Sequence, residues 1–142
     1  MKRRLFLQVS GGALATAALP GCSAMVATPV TPANGEFRIA VRNFAQLDQA
    51  GGFLKVRPAG SNDTLYILAL GGDRYSAVSP ICTHLQCTVN IDGATLVCPC
   101  HGSTYDREGR VLRGPAERPL TRYRATLEPG GELVIRYPEA SQ

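Results

Sequence analysis

The chain has 142 residues, enough for one domain and hardly two, and with no tryptophan, four phenylalanines and five tyrosines its core must be aliphatic. The formal charge of +4 belongs mostly to the start, where Lys2, Arg3 and Arg4 supply +3; from Cys22 onward 12 Lys and Arg stand against 11 Asp and Glu. That interspersed balance excludes a nucleic-acid-binding surface, and 15 glycines with 10 prolines favour many turns and short strands over long helices.

The first predicted element is an address. After the basic start no charge occurs from Leu5 to Asn34, and the apolar part, about Val9 to Leu19, is rich in Ala and Gly. This is the layout of an export signal. Arg3 and Arg4, followed by Leu5, Phe6 and Leu7, resemble the twin-arginine signal, which exports proteins already folded. The run Leu19-Pro20-Gly21-Cys22 resembles a bacterial lipobox, which implies that Cys22 is lipidated and begins the mature chain. The competing reading is an uncut anchor, because Leu5 to Ala27 gives 23 uncharged residues, enough to cover a bilayer. Residues 1–27 are therefore read as signal or membrane anchor. Residues 28–35, proline-bearing and without periodicity, are read as a flexible tether, and 36–142 as the folded domain.

From Glu36 the pattern turns to period two. Phe37, Ile39 and Val41 alternate with Arg38, Ala40 and Arg42, which predicts a half-buried strand. "NFAQLDQAGG" predicts one helical turn, and Phe53, Leu54 and Val56 a second strand. "TLYILALGGDRYSAVS" reads as a buried strand, a Gly-Gly-Asp turn and a return strand. "ATLVC" is a short strand, and "TYDREGRVL" a hairpin about Glu108-Gly109. In "RYRATLEPGGELVIRYP", Tyr123, Ala125 and Leu127 should face Leu133, Ile135 and Tyr137 across a Pro-Gly-Gly turn. The fold class is all-β, a small antiparallel sandwich or barrel, with chemistry on the turns between strands.

That chemistry sits in two boxes, Cys82-Thr83-His84 with Cys87, and Cys98-Pro99-Cys100-His101, which hold four of the five cysteines and both histidines. Each box offers a thiolate and an imidazole at short range, so two tight turns can present two sulfur and two nitrogen ligands to one site. A Cys2His2 zinc site would use those four and leave Cys87 and Cys100 unexplained. A catalytic Cys/His pair needs one reactive thiol and a base, not two matched clusters. A disulfide framework gives the histidines no task.

"CTHLQC" and "CPCHGS" resemble the two boxes of Rieske proteins of the cytochrome bc type, over about residues 65–137. In Rieske centres two histidines replace two cysteines on one iron of a 2Fe-2S cluster. The resemblance implies that Cys82 and Cys98 bind the inner iron, that His84 and His101 bind the outer one, and that Cys87 and Cys100 form a disulfide between the loops. It implies hydrogen bonds to the cluster sulfurs from Ser103 and Tyr105, an apolar docking rim at Leu85, and a proline loop through Gly114 and Pro115. Gln86 stands where the family pattern usually has glycine. The implied activity is high-potential one-electron transfer, with a histidine matching His101 accepting a hydrogen bond from quinol. The implied partners are a cytochrome b-type subunit and a c-type cytochrome, on the periplasmic side or cell surface of a bacterial membrane. Twin-arginine export suits a cluster inserted before export, and the disulfide suits the oxidising side. The rival functional readings are a small subunit of a periplasmic molybdenum oxidase of the arsenite oxidase type and, more distantly, a zinc-stabilised binding module.

Overall fold

The computed structural model describes residues 26–137. The strands are β1 (Thr28–Val30), β2 (Glu36–Ala40), β3 (Phe53–Pro58), β4 (Leu65–Gly71), β5 (Arg74–Val78), β6 (Asn90–Asp92), β7 (Thr95–Val97), β8 (Thr104–Asp106), β9 (Val111–Arg113), β10 (Arg122–Tyr123), β11 (Ala125–Glu128) and β12 (Glu132–Arg136). They form three sheets, ordered β1-β3-β4-β5-β10, β11-β12-β2 and β6-β7-β8-β9. Two 3-10 turns, Val41–Asn43 and Ala45–Leu47, fill the stretch where one helical turn was expected. Among the described residues no helix is long and apolar enough to cross a membrane.

The strand β4 explains the architecture. Its first five residues are all buried, because each face meets a different core. Leu65, Ile67 and Ala69 join Phe37, Ile39, Val56, Leu133 and Ile135 in a base unit. Tyr66 and Leu68 point the other way, into a second cluster with Val78, Val89, Leu96, Tyr105 and Leu120. Period two is therefore present in β4 but masked, since both faces are apolar. Each fully buried Leu or Ile contributes roughly 1.5–3 kcal/mol to its core. The second core carries the thiols of Cys82 and Cys98, so it belongs to the site.

Several expectations are corrected. The segment 28–35, read as a flexible tether, begins with a strand: β1 pairs in parallel with β3, Thr28 opposite Val56 and Val30 opposite Pro58. Its prolines concealed this, and as an edge strand it tolerates the missing donor of Pro29. The strand predicted through Arg42 stops at Ala40, where Val41 donates its N–H to the Gly131 carbonyl and the chain turns. In the terminal hairpin Ala125 pairs with Ile135 and Leu127 with Leu133, as read from the pattern. Tyr123, however, crosses to the other sheet and pairs with Ala77 of β5, though its ring still lies 5.6 Å from that of Tyr137.

Candidate metal centre

The two boxes fold into the same turn. In the first, the Cys82 N–H donates to the Cys87 carbonyl at 2.8 Å and the Gln86 N–H to the Cys82 carbonyl at 2.9 Å. In the second, the Cys98 N–H donates to the Ser103 carbonyl at 2.8 Å and the Gly102 N–H to the Cys98 carbonyl at 2.9 Å. The fifth residue of each turn is left-handed, with φ of 63° at Gln86 and 77° at Gly102. Glycine adopts that conformation freely, whereas glutamine is strained in it. The bridge between Ile81 and Thr88 closes the first turn, and the β7–β8 hairpin closes the second.

This geometry sorts the donors by depth. Cys82 and Cys98 are free thiols, only 1% and 2% exposed. His84 and His101 lie at the surface, their rings edge to face with centroids 4.9 Å apart. Cys87 and Cys100 are joined by a disulfide that ties one turn to the other. The sulfurs of Cys87, Cys98 and Cys100 fall within 4.8 Å of one another, but two of these are oxidised to each other and are not thiolate ligands. That leaves two buried sulfurs and two exposed nitrogens as available donors.

Hydroxyl groups converge on the buried sulfurs. Tyr105 is fully buried, and its Oη lies 3.2 Å from Cys82 Sγ, from the Thr83 N–H and from Thr83 Oγ1. Thr83 Oγ1 donates to the Arg118 carbonyl at 2.6 Å. The Thr83 proton is thereby engaged, so the tyrosine proton is aimed at either the sulfur or the Thr83 oxygen. Ser103, also fully buried, accepts the Ala116 N–H at 2.9 Å on its Oγ and keeps its own proton to give. Burial pushes the Cys82 thiol up. Hydrogen bonds from Tyr105, the His84 backbone, Cys98 and Ser103 outweigh that, and its pKa ends below the ordinary value. For Tyr105, burial and the neighbouring thiol push the phenol up, so it stays a proton donor.

A third loop, residues 114–120, is stitched to both turns, by the Ala116 amide to the second and by the Arg118 carbonyl to the first. Gly114 and Pro115 lie exposed on it. Leu85 is 61% exposed beside His84, and Ile81 and Leu112 are also exposed large apolar residues. Arg3, Arg4 and Cys22 lie outside the described residues. Thr83 was missed in the sequence; its one signal is its place between a cysteine and a histidine.

The donor set suits a mixed-ligand iron–sulfur cluster. Thiolates need neutralising donors when buried, and here hydroxyls supply them; imidazoles work as neutral ligands near water. The model of the Rieske [2Fe-2S] domain matches residues 38–124. The cytochrome b6-f complex iron-sulfur subunit of Chlorobaculum tepidum is 41% identical over 76 residues, 52% of this chain and 41% of that subunit. Its counterpart in Prochlorococcus marinus (strain NATL1A) is 35% identical over 102 residues, 63% of this chain and 57% of that subunit. The chain thus spans about half the length of the curated relatives it matches. Among solved structures, the cyanobacterial plasma membrane Rieske protein from Synechocystis PCC 6803 aligns with a TM-score of 0.52 at 34% identity, covering 59% of this chain and 85% of that one. A chain of a hyperthermophilic respiratory Complex III aligns with a TM-score of 0.52 at 29% identity, covering 68% of this chain and 71% of that one.

Proposed function

We propose that this chain, which belongs to the Rieske [2Fe-2S] domain family, carries single electrons from a quinol-linked cytochrome b-type donor to a c-type cytochrome. In this reading Cys82 and Cys98 hold the inner iron and His84 and His101 the outer one. The observation that carries it is the sorting of donors by depth: two buried thiols under hydroxyl donors, two imidazoles at the surface. When bound, the cluster supplies a one-electron couple, which in Rieske centres lies at about −150 to +300 mV; we put this one in the upper half.

The residues do the rest. Tyr105 and Ser103 donate toward the sulfurs, and such bonds are stronger when the site carries the extra electron. The Cys87–Cys100 disulfide and the loop through Gly114 and Pro115 hold the two turns at a fixed separation. Exposed histidine edges shorten the path to a partner, and His101 is our choice for the hydrogen bond from quinol. Leu85, with Ile81 and Leu112, excludes water from that contact. Two of the named relatives are cytochrome b6-f complex subunits and one solved structure is a respiratory Complex III, which is why a cytochrome b-type donor is preferred. The signal-like start, with Arg3, Arg4 and Cys22, supports folded export and a membrane tether on the periplasmic side.

The test is the purified protein itself. Two irons and two labile sulfides per chain with visible absorption are expected, and the donation of an electron from a quinol in native membranes. One zinc per chain, colourless, would overturn the cluster reading. For the tether, Cys22→Ala is expected to release the protein from membranes or to block its processing; a variant that stays membrane-bound at full length favours the uncut anchor.

A further inference from the structure

We infer that the cleft between β3, β4 and the first Cys/His turn is a binding site for the phosphate group of an anionic membrane lipid. The cleft has a volume of about 350 Å³, at the small end of ligand sites. Lys55 and Arg57 of β3 and Tyr66 of β4 line it from the sheet. Ser79, Ile81 and Thr88 line it from the approach to the first turn, which the Ile81–Thr88 bridge closes.

Alternation puts both cations on one side of β3. Leu54 and Val56 turn into the base core, whereas Lys55 is half-buried and Arg57 exposed on the opposite side. Two residues apart on one strand, their Cα atoms stand roughly 7 Å apart, a spacing that one phosphate can bridge. Lys55 lies across from Tyr66, and its Nζ sits 5.5 Å from the centre of that ring, so the ammonium is held at a wall of the cleft. Neither cation has a carboxylate within 4.0 Å among the described residues. Asp63 also lines the cleft, but it accepts the Tyr137 hydroxyl at 2.9 Å. The cleft therefore holds two unpaired positive charges against one engaged negative charge. Ser79 Oγ accepts the Ile81 N–H at 3.4 Å and keeps its own proton to give. A guanidinium, an ammonium and a hydroxyl are the donors that a phosphate takes.

The N-terminal segment says where that phosphate comes from. Ala27 lines the same cleft, and Val26 beside it is a large apolar residue left 73% exposed. Pairing of β1 with β3 fixes this entry point next to the two cations. Cys22 precedes Ala27 by five positions, a reach of at most about 18 Å. If the chain is instead an uncut anchor, the uncharged stretch from Leu5 ends at Ala27 itself. Either tether brings the cleft to a membrane surface, where lipid phosphates are the dense anions and nearby Lys and Arg side chains are attracted to them.

The inference rests on the membrane-tether reading, and the experiment separates the two. Lys55 is the one lysine after Lys2, so it reports on its own site. The full-length protein is placed in vesicles of phosphatidylcholine, with or without phosphatidylglycerol, and acylation of Lys55 by a soluble amine reagent is followed by mass spectrometry. Phosphatidylglycerol should slow that acylation about fivefold or more, the worth of one cation at an anionic surface, and added salt should reverse it. Arg57→Gln should restore most of the rate, whereas Arg136→Gln, an equal change in charge on the far sheet, should not. Equal rates in the two vesicles overturn the inference. Slowing that persists in Arg57→Gln also overturns it, because a surface-wide field would then be the cause. Inorganic phosphate that protects Lys55 equally in phosphatidylcholine vesicles overturns the lipid assignment. If the protein does not stay with either vesicle, the tether reading fails; the cleft must then still show protection of Lys55 by soluble glycerophosphoglycerol, and its failure to do so refutes the site.

Discussion

Replacing Tyr105 with Phe deletes one buried hydroxyl and almost no volume, and its consequences divide into two measurable parts. The first is stability. The hydroxyl accepts the Thr83 N–H at 3.2 Å, so its loss leaves that donor without its partner in both redox states, at about 1–3 kcal/mol. The melting temperature should fall by several degrees. The second is the potential. The same hydroxyl lies 3.2 Å from Cys82 Sγ and competes for nothing but Thr83 Oγ1, whose own proton goes to the Arg118 carbonyl. A hydrogen bond to a charged acceptor is worth about 1.5–3 kcal/mol, but only its increase on reduction moves the potential. If about 1 kcal/mol of it is that increase, the potential falls by about 40 mV, at 59 mV per 1.4 kcal/mol. Voltammetry at one pH, with iron content checked, is the assay. The companion variant Thr83→Val removes the competing acceptor and keeps the N–H bond, so its potential should rise. An unchanged potential in Tyr105→Phe, with two irons retained, would refute the claim that this hydroxyl donates to the cluster side. A fall in Thr83→Val would show that the proton was never shared as the geometry implies.

Ser103→Ala should also lower the potential, by tens of millivolts, and free the Ala116 amide that now holds the third loop, so faster cluster loss should accompany the shift. Removing the disulfide by Cys87→Ala with Cys100→Ala opens a link spanning 13 residues and should destabilise the domain by about 3 kcal/mol in guanidinium titrations; no change would mean that the third loop holds the turns alone. Gln86→Gly relieves a left-handed glutamine, and after glycine's own entropy should still stabilise by about 0.5–1 kcal/mol, read as a melting temperature a few degrees higher. A lower melting temperature would mean that the glutamine side chain makes a contact that offsets its strain.

Much of this was legible in the chain because the signals are local. Alternation in Phe37 and Ile39 reports one wet face of β2, whereas Leu133, Val134 and Ile135 of β12 are all buried; the turn residues between Leu127 and Leu133 fix the hairpin's register. The paired boxes were legible for the same reason, since each is a single turn of six residues from Cys82 to Cys87 and from Cys98 to Ser103. The illegible parts depend on distant backbone. Strand β1 exists because β3 offers an edge, and nothing in Thr28-Pro29-Val30 announces it. The short β6 was absorbed into the space between boxes. The stitching of the third loop uses a carbonyl of Arg118 and an amide of Ala116, groups every residue has. Arg107 looked like any charge in a hairpin turn; its burial is made by carbonyls 14 and 55 residues away.

The two-faced strand β4 has a bearing on how this sequence can drift. Ile67 and Leu68 are covalent neighbours, yet one answers to Phe37 and Ile135 and the other to Leu96 and Tyr105. A change at Ile67 invites compensation from β2 or β12, while a change at Leu68 invites it from the strands around the thiols. Substitutions at the two positions should therefore combine nearly additively despite adjoining, whereas each should show interaction energies with partners far along the chain. Proximity in the chain is, at this strand, the wrong guide to epistasis: the base can be remodelled through odd positions of β4 while the even positions keep the redox centre's wall intact.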